Sequence, residues 1–422
     1  MAQSTATTSS PYSKYGLGLL SPLALPQNVA MGGIATATNN INGYNSVNPL
    51  NPASYSTLRY TTIDIGLASD VTTLSKTGVT SQSNSNFRLS HIVFGVPITA
   101  HSALSFGLLP YSQLGYKYTQ TLSRGYGTSS PADTNLTNNI YSGEGGLSKF
   151  YLGYGIGIGK HLSIGANASY IFGSLKQYSS TEFPELYGAF NSRQESNNYV
   201  SGLNYDLGAQ YTIDIAEDKH LVFGYSGSLG TKLNTQTSFV VTQYQKDFTT
   251  GDEDPTHTDT LINNQTPFGK IQLPRINHFG VSYQVDRKFL VGADYNTGAW
   301  SNLTINGVNQ GLQNSSGVNI GGQFNPNSNS VHSYWALVDY RLGTHIEKTY
   351  VTVNGQSINE YGVTFGLGMP LARNGTSFYK VNIAADIGQR GTLNNSLVKE
   401  NYVNIHLSFT LNDKWFTKYK FD

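Results

Sequence analysis

The chain contains no cysteine among its 422 residues, which excludes disulfide staples, thiolate metal sites, a cysteine nucleophile and an N-terminal lipidated cysteine. Charge is scarce as well: 12% of residues are Asp, Glu, Lys or Arg, and the net charge is +1. With no basic excess to hold a phosphate backbone, nucleic acid is not an expected partner. Long apolar runs are also missing. No stretch approaches the roughly 18 to 20 apolar residues a helix needs to cross about 30 Å of hydrocarbon. Disorder is excluded, because 38% hydrophobic and 12% aromatic residues suffice to bury a core. No signal peptide is visible, and Met1-Ala2-Gln3-Ser4 reads as a start beside a removed cleavage site, so a mature exported chain is expected.

What is present is Gly (45), Tyr (29) and abundant Asn, Ser and Thr, a mixture suited to a wall with one face in lipid and the other in a polar lumen. Period-two alternation recurs along the chain. From Leu203 to Ile215 the odd positions Leu203, Tyr205, Leu207, Ala209, Tyr211, Ile213 and Ile215 face Asn204, Asp206, Gly208, Gln210, Thr212 and Asp214, one apolar phase against one polar phase. Leu162–Phe172, Tyr379–Ile387 and Val403–Leu411 repeat it. Fourteen such segments are predicted, at 60–75, 86–97, 102–120, 146–159, 161–177, 199–215, 219–242, 275–286, 288–303, 314–325, 333–353, 358–371, 376–390 and 400–412. Most reach the roughly 9 to 11 residues of a tilted membrane crossing.

Tight turns at Pro97–His101, Gly159–His161, Ala216–Lys219, Asp286–Lys288, Pro326–His332 and Ala372–Gly375 alternate with longer loops at 121–145, 178–198, 243–274 and 304–313. Short turns on the periplasmic side and long loops outside are the outer-membrane pattern. An even strand count also places the C-terminal Asp422 on the periplasmic side. A soluble sandwich alternates too, but would not sort its loops by side. The reading is an all-β, 14-stranded antiparallel transmembrane β-barrel over 59–422, in the bacterial outer membrane. Residues 1–58, with Pro11, Pro22, Pro26, Pro49 and Pro52, cannot form a central strand and are expected to be a plug in the lumen. Two strands offer room: Gly153, Gly155, Gly157 and Gly159 in one, Gly362, Gly366 and Gly368 in another. Such rows mark either close approach by another backbone or curvature of the wall.

Ala30-Met31-Gly32-Gly33-Ile34-Ala35-Thr36-Ala37 and Asn51-Pro52-Ala53 resemble the Met-Gly-Gly stretch and Asn-Pro-Ala motif of the outer-membrane long-chain fatty acid transporter (FadL-like) family. Ser10-Pro11-Tyr12-Ser13-Lys14-Tyr15-Gly16 and Asn412-Asp413-Lys414-Trp415-Phe416 look like its Bacteroidetes members. The resemblance implies a barrel closed by an N-terminal hatch carrying Met31, Gly32, Gly33, Asn51, Pro52 and Ala53, with hydrophobic molecules released sideways beside a kinked third strand. Ser54-Tyr55 replaces the usual Gly-Leu pair, and no extracellular loop is obviously apolar.

Pro110, between Leu109 and Tyr111 in the third strand, interrupts the outward row Leu104, Phe106, Leu108 and removes a ladder donor. It matches the family's gate position, and its plainer alternative is a bulge without a passage. His406-Leu407-Ser408 has the His-x-Ser spacing of some lipid hydrolases, yet both polar residues lie in the inward phase, so no enzyme activity is expected. Gly159-Lys160 lacks the spacing of a phosphate loop. Asp252, Glu253, Asp254 and Asp259 offer oxygen ligands for a divalent cation or, more simply, a solvated loop cluster; neither metal nor cofactor is expected. Asp206, Asp214, Asp294, Asp339, Arg341, Lys380, Asp386 and Arg390 would be costly in lipid and are expected to form an interior network completed by the plug. Trp335, Trp415 and Phe416 read as girdle aromatics.

The leading function is passive outer-membrane uptake of hydrophobic, long-chain fatty acid-like molecules with lateral release, by a monomeric barrel surrounded by outer-membrane lipid. The alternative is a non-transporting barrel that partners or scaffolds a secretion or surface-protein complex. An open diffusion porin ranks third because of the plug.

Overall fold

A computed structural model describes residues 8–39, 46–122, 135–371 and 377–414. Its strands are β1 (Leu19–Leu20), β2 (Thr61–Lys76), β3 (Val79–Thr99), β4 (Ser102–Leu122), β5 (Thr137–Ile158), β6 (Leu162–Glu182), β7 (Asn191–Ala216), β8 (Lys219–Ser228), β9 (Lys232–Lys246) and β10 (Glu253–Gln272). They continue as β11 (Ile276–Val285), β12 (Phe289–Gly298), β13 (Thr304–Ile305), β14 (Val308–Asn309), β15 (Ser315–Phe324), β16 (Asp339–Val353), β17 (Gln356–Pro370), β18 (Phe378–Gly391) and β19 (Lys399–Asp413).

All pairings are antiparallel, and β19 closes on β2 from Lys399–Ser75 to Asp413–Thr61. The lower half of β7 pairs with β8 and its upper half with β9, so these two are halves of one ascending crossing. Likewise β10 descends beside β9 and continues as β11 beside β8. Counting each of these as one and setting aside the two-residue β1, β13 and β14 leaves fourteen crossings, a closed barrel with no edge in the hydrocarbon belt except where noted below.

Alternation sets the register. Leu203, Tyr205 and Leu207 point outward at 52%, 42% and 45% exposure, whereas Asn204 and Asp206 are buried. A slip of one residue would exchange the two sets, so the pattern admits a single register.

Loop sorting differs from the sequence reading. Glu253–Gln272 and much of 178–198 are strand, because β6, β7, β9 and β10 pair beyond the membrane, where the outward face meets water instead of lipid and, over 255–268 of β10, every residue is exposed and alternation disappears. Two outer connections are tight hairpins, at Thr77-Gly78 and Asn354-Gly355. In the second, positive φ at Asn354 (51°) and Gly355 (75°) provides the twist that two-residue hairpins favour. On the periplasmic side, the connection after β15 is longer than expected and contains a 3-10 turn, Tyr334–Ala336, with Trp335 exposed. Asp422, Trp415, Phe416 and the expected turn at Ala372–Gly375 lie outside the described residues.

Residues 8–39 and 46–58 run within the wall. They are buried or half-buried except at Pro22, and are bonded to inward-facing side chains. A short helix, α1 (Pro26–Val29), and two 3-10 helices, Pro11–Lys14 and Pro52–Thr57, are among their regular elements besides β1. The upper interior is an apolar core in which Tyr12 and Leu17 of this segment meet Leu114, Leu147, Ile171, Trp300 and Tyr350 of the wall.

Candidate functional site

The N-terminal segment is held by its own polar side chains. Asn51 caps the Pro52–Thr57 turn by accepting from the Ala53 N–H at 3.1 Å and donates to the Thr36 carbonyl at 2.6 Å. One side chain thus joins the two halves of the segment, and Pro52 supplies a first-turn residue that has no N–H to satisfy. Asn48 donates to the Ala35 carbonyl at 2.6 Å. Met31 is fully buried against Ile34 and Leu290. Gly32 adopts φ +72° and donates to Thr364 Oγ1 at 2.7 Å; a Cβ there would lie 2.7 Å from the carbonyls of Ile320 and Thr344. Gly33, at φ +87°, continues the left-handed turn that glycine alone adopts readily.

The wall is cut back to fit this segment. A Cβ would approach Pro52 O to 2.4 Å at Gly155 and at Gly165, Thr36 O to 2.1 Å at Gly224, and Met31 O to 2.2 Å at Gly321. At Gly343 it would meet the Gly32 N at 2.2 Å. Of the glycines singled out from sequence, Gly153, Gly155 and Gly366 touch Tyr55, Pro52 and Ala30 respectively. Gly157 and Gly159 stand clear of the segment, while Gly362 faces His345 and Gly368 faces Arg341. Gly165, Gly224, Gly321 and Gly343 are spread over four strands and form no row, so the sequence offered no repeated spacing to find them.

Interior charges are paired. Asp206 receives Lys149 at 2.6 Å, and Asp339 receives Lys380 at 2.6 Å and Arg341 at 3.1 Å. Asp386 meets His345 at 3.1 Å, and Arg390 bridges Glu360 and Glu400. The N-terminal segment completes two of these groups: Asp294 accepts from the Ala35 and Thr36 N–H at 2.7 and 2.8 Å, and Ser10 Oγ donates to Glu400 at 2.5 Å. Asp214 instead sits at the periplasmic rim with His220 at 2.6 Å. Glu360 and Glu400, each beside other polar residues at a strand's polar end, escaped the sequence reading, as did the fully buried pair Asp64–His91 at 2.7 Å, although Asp64 sits between Ile63 and Ile65 in an alternating run.

Among the described residues, the wall is incomplete between β3 and β4. The β3–β4 ladder runs from Thr99–Ser102 up to Ile92–Leu108 and stops, although both strands continue upward on their other neighbours. In that register the next pairs would be His91–Leu109 and then Ser90–Pro110. Ser90 is the residue bulged out of the β2–β3 ladder, between the pairs Gly66–His91 and Leu67–Leu89. Pro110 lacks an N–H, and Tyr111 is bulged out of the β4–β5 ladder. Both strands are therefore deformed at one level, and the seam opens on the side of the second crossing.

The N-terminal segment lies in that seam. β1 pairs with Ser112 and Gln113 of β4, the Ser21 N–H donates to the Tyr111 carbonyl at 3.0 Å, and Ser13 Oγ bonds both the N–H and carbonyl of Gly115 at 3.1 Å. From the opposite bank, Asn86 of β3 donates to Ser9 Oγ at 3.2 Å. Leu109 faces inward at 4% exposure and packs with Leu25, Leu58, Val93 and Tyr151; Pro110 is half-buried. At the outer end of the seam a cavity of about 330 Å³ is lined by Thr8, Ser9, Gln82, Asn84, Tyr116 and Glu144 among others, a polar set.

The remaining candidates disperse. Ser408 is buried and receives Asn382 Nδ2 at 3.4 Å, with His406 in the same inward phase. Glu253 of β10 pairs with Arg193 of β7 at 2.7 Å, reaching across β9. Asp254 takes the Thr256 hydroxyl at 2.6 Å and His257 at 2.7 Å, bonds that hold its carboxyl down to about 2. Among the described residues no group of three or more His, Asp or Glu is arranged to hold a metal.

A family model described as BamG matches residues 1–422. No curated protein matches the chain. Among solved structures, it is similar to the Ralstonia pickettii toluene transporter TbuX, at 15% identity and TM-score 0.61, over 93% of this chain and 99% of that one. The CymD monoaromatic hydrocarbon channel is 13% identical with TM-score 0.55, over 96% and 100% of the two chains. A Pseudomonas aeruginosa FadL homologue is 12% identical with TM-score 0.59, over 94% and 100%. The shared fold is that of bacterial outer-membrane barrels, and the outer membrane is where this chain resides.

Proposed function

The chain belongs to the BamG family, and from that premise and its geometry we propose an outer-membrane channel for hydrophobic, long-chain fatty acid-like molecules, with the N-terminal segment as hatch and the β3–β4 seam as lateral exit. The observation that carries this reading is the ladder ending at Ile92–Leu108. An open strand edge at membrane depth is tolerated only where it faces protein, water or a ligand. A sideways exit also spares an apolar molecule the crossing of a polar interior. TbuX and CymD, which share the fold, are a toluene transporter and a monoaromatic hydrocarbon channel.

Pro110→Val restores the missing donor and β-propensity at the blocked rung, so it should narrow the seam and lower uptake of a fluorescent fatty acid by whole cells without unfolding the barrel. Unchanged uptake would remove the seam from the account. A second reading, a barrel that scaffolds a secretion or surface-protein complex, is favoured by the apolar packing of the upper lumen around Tyr12, Leu17, Trp300 and Tyr350. Deleting residues 1–24 distinguishes the two: a hatch yields higher uptake or conductance, a purely structural filling yields a destabilised barrel with neither.

A further inference from the structure

We propose that the cavity at the outer end of the seam holds the neutral sugar head of a membrane glycolipid whose chains stay in the outer leaflet beside β3. The cavity, of about 330 Å³, is walled by Gln82 and Asn84 of β3, Tyr116 and Lys117 of β4, Glu144 of β5 and Tyr178 of β6, with Ser9 of the N-terminal segment at its floor. That volume suits a small polar ligand.

The lining has bonding capacity to spare. Tyr116 is 7% exposed, and its ring lies so close to β5 that a Cβ on Gly143 would meet its Cζ at 2.9 Å. A tyrosine this buried normally finds a partner for its hydroxyl. Here the hydroxyls of Tyr116 and Tyr178 make no hydrogen bond among the described residues. Gln82 Nε2 donates to Asn84 Oδ1 at 3.2 Å, which leaves the Gln82 carbonyl and the Asn84 N–H groups for a ligand.

Chemistry selects the class of ligand. Lys117 and Glu144 are the charged residues of the described lining and offset one another, so the cavity favours neither a strong anion nor a strong cation. An acyl chain would strip the amides and hydroxyls of water without replacing their bonds. A sugar offers hydroxyls that both donate and accept, together with C–H faces that pack on tyrosine rings.

Position selects its source. The outward apolar rows end at Val71 on β2 and Phe87 on β3, 44% and 69% exposed, and the outward positions above them are Thr73, Ser75, Ser85 and Ser83. Asn84 and Gln82 stand three and five residues beyond Phe87, roughly 8–13 Å along the membrane normal for strands tilted about 40°. That is the level of lipid headgroups, just outside the hydrocarbon core. The β3–β4 ladder stops below, at Ile92–Leu108, so no backbone bond joins the two banks of the cavity and a headgroup enters sideways. Its chains then lie against Phe87 and Leu89, the latter 47% exposed. This inference does not depend on passage of a hydrophobic molecule through the seam.

The test places the full-length chain in phosphatidylcholine nanodiscs that also contain a monohexosyl diacylglycerol, and counts the lipids retained on the barrel by native mass spectrometry. The expected result is a single glycolipid held in preference to phosphatidylcholine. Asn84→Leu and Tyr116→Phe each remove a bonding group with little change of bulk. Each should lower glycolipid retention, and the two together about tenfold, with heat-modifiable migration of the barrel unchanged. Asn359→Leu, at an exposed position of β17, should retain the glycolipid as the parent does. Equal retention of both lipids, retention unaffected by the double variant, or an equal loss in Asn359→Leu would each overturn the proposal. So would displacement of the glycolipid by methyl hexoside at equal concentration, which would assign the cavity to a soluble sugar.

Discussion

Alanine at Gly155 tests whether the N-terminal segment is wedged against the wall as tightly as its contacts imply. The added methyl would lie 2.4 Å from the Pro52 carbonyl oxygen, 2.9 Å from Tyr55 Cβ and 3.2 Å from the Ser56 nitrogen. None of these is the end of a flexible side chain, so relief requires the Pro52–Thr57 turn or β5 itself to shift. Overpacking costs about 1–3 kcal/mol, and contacts this short place the change near about 3. Replacing a strand glycine by alanine returns about 0.5–1 kcal/mol, leaving a net loss of about 2 kcal/mol. Gly157, two residues on in the same inward phase, is the internal control: its methyl would find His101 O at 3.6 Å and Ser163 Oγ at 3.9 Å, ordinary contacts. Gly157→Ala should therefore be neutral or stabilising by about 0.5–1 kcal/mol. Urea unfolding of the two variants in micelles, alongside planar-bilayer conductance, reads both the energy and any displacement of the segment. Equal midpoints for the two variants would refute the wedge, whatever their conductance.

Asp294→Ala strips the Ala35 and Thr36 N–H groups of their shared acceptor and should cost about 2–3 kcal/mol by the same unfolding measurement, since bonds to charged groups are worth about 1.5–3 kcal/mol. Arg390→Ala leaves Glu360 and Glu400 buried without their cation, and a loss of about 3–5 kcal/mol is expected, relieved in the triple variant that also carries Glu360→Gln and Glu400→Gln. Trp300→Ala empties the stack on Tyr350, whose rings lie 4.6 Å apart, and should lower stability by about 3–5 kcal/mol. The Asp254 carboxyl, depressed to about 2, contributes order to the hairpin tip that is full above the unfolded value of about 3.9 and lost as pH falls through about 2. Pepsin cleavage near Asp254 should accordingly rise between pH 4 and 2 in the parent and much less in Asp254→Asn.

The crossings were legible because lipid on one side and a polar lumen on the other impose opposite demands on successive residues, as at Leu203 to Ile215. Where that contrast ends, legibility ends with it. Over 255–268, β10 is a strand whose two faces both meet water, so its Thr- and Asn-rich sequence looked like a loop. Pro110 marked a defect in the third crossing, but the side on which it opens depends on Ser90, a serine whose bulge has no sequence signature. Asn51 was noticeable only through resemblance; its physical role, capping one turn while binding the Thr36 carbonyl of another, requires the fold. Asp206 and Asp294 were found because they lie in long alternating runs, Glu360 and Glu400 were missed at polar strand ends, and Asp64 was missed although Ile63 and Ile65 flank it, because its buried partner His91 stands on another strand.

The most direct measurement is the initial rate at which cells carrying the chain take up a fluorescent fatty acid, compared with cells lacking it and with cells carrying Pro110→Val. The account predicts a rate above background for the parent and a reduced rate for Pro110→Val at equal outer-membrane abundance. A parent rate equal to that of cells lacking the chain would contradict it and favour the scaffold reading, a barrel whose apolar filled lumen is structural.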